Sequence, residues 1–123
     1  MNQTNSPFQT FIQRLHDYRN ARNWTNLSSS DLAKSIVIEA AELLEPYQWE
    51  NFKPKAINKS EIAGEAADIF IYLLQFCMEN DIDLIQAANQ KLDKVESKYP
   101  ADKVKGNQEE YYSRKQNHRL QNN

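Results

Sequence analysis

The chain has 123 residues, enough for one globular domain, and its 40% hydrophobic and 26% charged residues exclude a wholly disordered protein. Its formal net charge of −2 argues against a polynucleotide partner, because nucleic-acid binding needs a clustered basic surface. Only two glycines and four prolines interrupt the sequence, so long helices are expected and an all-β fold is not.

The sequence carries no signal for export or for membrane insertion. Residues 1–7 are polar and lack the apolar region of a signal peptide. No run approaches the roughly 20 apolar residues that span a bilayer. We therefore expect a cytoplasmic protein with no membrane partner. The single cysteine, Cys77, lies in an apolar stretch and is interpreted as a small buried hydrophobe.

The first predicted helix opens at Ser6, with Pro7 in the first helical position and Gln9 placed to close a capping box. Its apolar residues recur at the spacing of one helix face. These residues are Phe8, Phe11, Ile12, Leu15 and Tyr18. The helix is expected to end near Trp24.

The second predicted helix begins among the N-cap candidates of residues 28–31 and is stopped by Pro46. Residues 46–59, with two prolines and three lysines, are predicted to form a loop.

The third predicted helix starts at Ser60 and Glu61 and is apolar over most of its circumference, so it should be central. A fourth helix is expected from residues 81–83 to Tyr99, where Pro100 prevents continuation. The polar residues that follow are expected to be frayed or loosely packed.

Two short acidic patterns stand among apolar residues of the second and third helices: Glu39-Ala40-Ala41-Glu42 and Glu65-Ala66-Ala67-Asp68. The two acids of each pattern are three residues apart, which puts them about 60° apart on one helix face. Acidic residues on helices are usually solvated, and we interpret Glu61 and Glu79 in that way. The four paired acids, here called the acid quartet, have apolar neighbours and are predicted to border the core.

Four carboxylates that face one another repel, so some must stay protonated or a cation must be present. Oxygen ligands without cysteine or histidine favour Mg²⁺ or Mn²⁺ over zinc. Since Mg²⁺ commonly joins a few carboxylates to substrate phosphates, the acid quartet indicates an enzyme with a phosphorylated substrate. A di-iron bundle would need a histidine three residues after a glutamate on two helices, and neither His16 nor His118 has that spacing.

Four segments in order resemble the all-α NTP pyrophosphatase superfamily, and within it the MazG-like and dCTP-pyrophosphatase-like proteins. The segments are residues 39–45 (EAAELLE), 48–49 (QW), 68–74 (DIFIYLL) and 98–100 (KYP). The acid quartet itself has the spacing of that superfamily's signature. The resemblance extends from about residue 8 to residue 106. We therefore expect a catalytic domain in residues 1–106 and a polar tail in residues 107–123.

The resemblance implies an all-α fold: a four-helix MazG-like protomer assembled as an oligomeric helical bundle, either a dimer or a tetramer. It implies that the acid quartet is catalytic and holds Mg²⁺, with Mn²⁺ as the alternative metal. The implied reaction is attack of water on the α-phosphate of a nucleoside triphosphate, giving monophosphate and pyrophosphate, and the implied role is nucleotide-pool housekeeping. The apolar helices also favour a homo-oligomer, because one short chain cannot cover them all.

The same resemblance implies four substrate-binding residues: Trp24, Trp49, Tyr72 and Lys91. The tryptophans match residues that enclose the base, Tyr72 lies one turn after Asp68, and Lys91 matches a lysine near the substrate. Taken alone, the aromatic residues would be ordinary core residues and the lysine a solvated one. Val95 stands where these relatives usually have asparagine. A substrate contact is therefore missing, and a weaker preference among bases is expected.

Two hypotheses from other classes stay open at this point. One is a non-catalytic helical module that binds a nucleotide or a protein, which the intact acid quartet disfavours. The other is a purely structural helix bundle, which gives no reason to place acids beside the core. Pyrophosphate release from mixed nucleotides with and without Mg²⁺ would discriminate among them.

Overall fold

The computed structural model describes residues 4–49 and 57–122. Every regular element in these ranges is helical: α1 (Pro7–Ala21), α2 (Ser29–Leu44), a 3₁₀ turn (Glu45–Tyr47), α3 (Lys59–Glu79), α4 (Leu84–Lys98), α5 (Ala101–Val104) and α6 (Gln108–Gln121). The all-α prediction is confirmed, and α1 to α4 are the four helices expected from the sequence. None of the helices described is both long enough and apolar enough to pass through a membrane.

Side-chain caps fix where the long helices begin. The Ser6 hydroxyl accepts a hydrogen bond from the Gln9 backbone N–H at 3.2 Å, and the Ser6 backbone N–H donates one to Gln9 Oε1 at 3.0 Å, which is the predicted capping box. Ser28 caps α2, and Asp83 caps α4. Asn58 caps α3, so that helix begins slightly before the predicted Ser60.

Helix ends differ more from the predictions than helix starts. The first helix ends at Ala21 rather than near Trp24, because Asn23 adopts a left-handed backbone with φ of 56°. The second ends at Leu44, before Pro46, which lies in the 3₁₀ turn. Part of the predicted loop over residues 46–59, namely residues 50–56, lies outside the described residues.

The first of two compact units runs to Ile82 and contains α1, α2 and α3, with α2 packed along α3. Its buried apolar residues come from all three helices: Leu15, Leu32, Leu74 and Cys77. On the amino-terminal side of this core, the rings of Phe8 and Phe11 pack on Phe70 at 6.2 and 5.8 Å. The predicted burial of Cys77 is confirmed, and burial raises the pKa of its thiol.

The second unit begins at Asp83 and contains α4, α5 and α6. Residues 101–123 were expected to be frayed, but α5 and α6 occupy most of them. Asn107 caps α6, and the rings of Tyr99 and Tyr111 lie 5.0 Å apart. No residue of α6 is buried, so its helical structure is maintained mainly by local interactions such as the Arg114–Glu110 ion pair at 2.7 Å.

Candidate active site

The packing of α2 along α3 brings acids from both predicted pairs together. One carboxylate oxygen from each of Glu39, Glu42 and Glu65 can be chosen so that all lie within 4.8 Å of one another. Glu39 and Glu65 are partly buried, and Glu42 is exposed. Two helices therefore present a compact set of oxygen ligands at their shared surface.

Glu65 supplies the observation that tests whether these residues suit a cation. Its Oε2 atom is fully enclosed, and within the described residues it has no hydrogen-bond partner. A buried carboxylate oxygen without a partner is costly, and a divalent cation would satisfy it. An all-oxygen donor set of this kind fits Mg²⁺ or Mn²⁺.

Partial burial and the acids of this cluster raise the pKa values of Glu39 and Glu65. Partial burial raises the pKa of Glu39, and Glu42 adds to the rise through its charge and a side-chain hydrogen bond. Partial burial also raises the pKa of Glu65, followed by the charges of Glu42 and Asp68. A bound cation would offset this repulsion and would therefore favour the ionised form of both side chains.

Asp68 lies outside the compact trio among the described residues, but close enough that its charge raises the pKa of both Glu39 and Glu65. Its side chain also lines a groove of about 660 Å³ between α1, the following loop and α3. The groove-lining residues are Phe11, Arg14, Leu15, Tyr18, Trp24, Leu27, Asp68, Ile71, Tyr72 and Gln75. This surface is called the α1–α3 groove below. Its lining is largely apolar and includes the carboxylate of Asp68.

Two residues proposed from the resemblance to bind substrate, Trp24 and Tyr72, share the α1–α3 groove with Asp68. Trp24 is about half exposed, and its ring meets that of Tyr18 edge to face with centroids 5.9 Å apart. The Arg22 guanidinium covers the Tyr18 ring at 3.9 Å. Two aromatic side chains with accessible surface are therefore available for stacking beside the acids.

Arg19 holds the loop that carries Trp24. It is buried, its Nε donates to the Trp24 carbonyl at 3.1 Å, and its backbone carbonyl accepts from the Trp24 N–H at 2.9 Å. The same guanidinium contacts Met78 Sδ and forms an ion pair with Glu79, both near the end of α3. Interpreting Glu79 as a solvated acid was wrong: its side chain is only 16% exposed and pairs with Arg19.

The other two predicted substrate residues, Trp49 and Lys91, are described by their own elements. Trp49 follows the 3₁₀ turn and is 61% exposed. Lys91 is an exposed residue of α4, in the second compact unit, as is Val95 four residues later. Their roles stay predictions.

Sequence reasoning missed three side chains that the structure places at or near the candidate site. Glu45 continues the three-residue spacing of Glu39 and Glu42, and its charge contributes to the raised pKa of Glu65. Arg14 lines the α1–α3 groove, as does Gln75. Gln75 lies three residues after Tyr72 on the same helix face, a spacing that could have identified it.

Comparisons with known proteins agree with the architecture. A family model described as the MazG-like family matches residues 34–113, more than half of the chain and including the whole acid quartet. Two proteins named dCTP pyrophosphatase 1 are similar to it: one from Mus musculus, 29% identical over 105 residues, and one from Bos taurus, 33% identical over 103 residues. Each alignment covers 77% of this chain and 61% of the relative, so the chain spans about three fifths of their length. On the strength of the family match, the chain belongs to the MazG-like family.

Proposed function

We propose that this protein is a Mg²⁺-dependent nucleoside triphosphate pyrophosphohydrolase that converts (d)NTP to (d)NMP and pyrophosphate. The observation that carries the proposal is the carboxylate trio, in which Glu65 Oε2 is buried without a partner among the described residues. The name of the two relatives supports the same reaction class. We place this activity in cytoplasmic nucleotide-pool housekeeping, with no membrane or polynucleotide partner.

Glu39, Glu42, Glu65 and Asp68 are the residues proposed to hold the metal, with Mn²⁺ as a substitute for Mg²⁺. When bound, the metal supplies positive charge that offsets the phosphate charge and makes a water molecule more acidic. A carboxylate of the acid quartet accepts the proton of the water that attacks the α-phosphate. The leaving group is pyrophosphate.

The α1–α3 groove is proposed to bind the nucleoside. Asp68 of the acid quartet lines this groove, and the rings of Trp24 and Tyr72 offer flat surfaces for a base. Placing the base here would hold the triphosphate close to the acid quartet and reduce the entropy lost on the way to the reactive geometry. Trp49 and Lys91 are retained as proposed contacts to the base and to the phosphates, respectively.

The test is hydrolysis of a panel of deoxynucleoside triphosphates in Mg²⁺ and in chelator, with both products quantified. Glu39→Gln and Asp68→Asn should lower turnover by at least about 100-fold while the helical circular dichroism is unchanged. Glu61→Gln is the matched control, because Glu61 is an exposed acid of the same α3 helix outside the carboxylate trio. Near-normal turnover of either quartet variant at saturating Mg²⁺ would overturn the assignment of the metal site.

A further inference from the structure

Gln75 is a polar residue in an unusual position within the α1–α3 groove. It is 8% exposed, and it is the buried one among the groove's polar lining residues in the described part of the chain. Its side-chain amide forms no hydrogen bond with any residue that the structure describes in the same compact unit, residues 4–49 and 57–82. A neutral amide with no protein partner in a mostly apolar lining is available to donate a hydrogen bond to a ligand or to accept one from it.

Gln75 lines the α1–α3 groove, and its side chain is not completely enclosed. Among the described residues, Glu65 Oε2 is the side-chain atom that is both fully enclosed and unpartnered. The unpartnered amide atoms of Gln75 therefore retain accessible surface, and the space that Gln75 lines is the groove. A ligand in the groove can reach them.

Asp68, Tyr72 and Gln75 form one stripe along α3, at relative positions i, i+4 and i+7. The stripe spans two helical turns, about 10.5 Å from Asp68 to Gln75. Its order is carboxylate, aromatic ring, amide. A nucleotide has the matching order of phosphate, sugar with stacked base, and hydrogen-bonding base edge.

We propose that Gln75 is a base-reading residue, whose amide hydrogen-bonds the exocyclic group on the Watson–Crick edge of a base held in the α1–α3 groove. This proposal rests on the proposed function. A neutral amide can present its N–H to a keto oxygen or, after a flip, its carbonyl to an amino group. Gln75 therefore accepts bases with either substituent and disfavours a base that has neither.

The test compares kcat/KM for dCTP, dUTP and the triphosphate of 2-pyrimidinone deoxyriboside, which lacks the exocyclic group at position 4. In the natural protein, dCTP and dUTP should both be preferred over the analogue by roughly 10-fold or more, the range expected when a site's polar group is left unpaired. In Gln75→Leu the three triphosphates should have about equal kcat/KM. The ratio for two substrates in one preparation is independent of the active fraction, so partial misfolding cannot imitate the result.

Gln13→Leu is the control, because Gln13 is an exposed glutamine of α1 that pairs with Asp17 and does not line the groove. It should leave the preference unchanged. Gln75→Met serves as a second variant if Gln75→Leu gives no folded protein. An unchanged preference in the Gln75 variant, or equal hydrolysis of all three triphosphates by the natural protein, would overturn the role of Gln75. Absence of hydrolysis of any triphosphate by the natural protein would instead overturn the proposed function.

Discussion

At the scale of single residues, the chemistry of the site depends on how its carboxylates share charge. Glu39 and Glu65 lie on different helices, but each has its pKa raised first by burial and then by the acids around it. In the folded protein these side chains therefore keep their protons to a higher pH than an ordinary glutamate does. The stability linked to these groups is present at low pH and is lost as pH rises through the raised pKa values.

This linkage predicts that binding of Mg²⁺ releases protons. Ligation requires ionised carboxylates, so the metal must displace the protons on Glu39 and Glu65, and affinity should fall as pH falls through their raised pKa values. The measurement is titration calorimetry in buffers of different ionisation enthalpy. Binding of Mg²⁺ to the Glu65→Gln variant should release fewer protons. If the heat of Mg²⁺ binding is the same in every buffer at every pH tested, metal binding is not coupled to proton release.

Some residues of the candidate site could be identified from the sequence, and others could not. The acid quartet was identifiable because an acid between apolar neighbours breaks the expected pattern of an amphipathic helix. Arg19 and Glu79 were not, because an isolated arginine or glutamate on a helix is ordinarily solvated. Their importance arises only when α1 and α3 are brought together.

At the scale of helices and loops, the ion pair between Arg19 and Glu79 connects the end of α1 to the end of α3. Arg19 near the end of α1 bonds the Trp24 backbone and pairs with Glu79, so the position of the loop after α1 depends on the last turn of α3. Arg19 is 4% exposed at its side chain. Loss of its partner would leave a buried charge uncompensated.

Glu79→Ala is therefore expected to destabilise the protein by roughly 3 kcal/mol and to raise KM more than it lowers kcat. The physical reason is that Trp24 loses the support that orients it, while the acid quartet is untouched. Denaturant unfolding and steady-state kinetics provide the two readouts. As a control, Lys34→Ala breaks an exposed pair with Asp31 at 3.6 Å and should cost less than about 1 kcal/mol. Equal costs for the two variants would refute the special role of the buried pair.

Helix starts were more predictable than helix ends for a physical reason. Starts are set by local side-chain caps such as Ser6 and Asp83, which can be identified in the sequence. The end of α1 depends on the left-handed Asn23 and on the tertiary bonds of Arg19, which no local pattern shows. No residue of α6 is buried, and its polar composition alone indicated a tail rather than a helix.

At the scale of the whole molecule, α2 is apolar on more than the side that faces α3. Val37 and Leu44 lie seven residues apart on one helix face, and they are 68% and 64% exposed. Ile38 and Leu44 also line a second groove of about 440 Å³ together with Glu42 of the acid quartet. Apolar surface of this kind is typical of an interface between protein subunits.

We expect the protein to be a homo-oligomer that buries this face of α2. Light scattering should show a dimer or tetramer, and the double variant Val37→Ser with Leu44→Gln should shift it toward monomer. Leu120→Gln, which changes a more exposed leucine of the polar helix α6, should have no such effect. A natural protein that stays monomeric at all measurable concentrations would show this expectation to be wrong.

The proposed function requires that water attack the α-phosphate of a nucleoside triphosphate held beside the acid quartet. Hydrolysis of dCTP in H₂¹⁸O, with the products analysed by mass spectrometry, tests it most directly. We expect one ¹⁸O atom in each monophosphate and none in the pyrophosphate. Label in the pyrophosphate, or formation of diphosphate and orthophosphate, would contradict it.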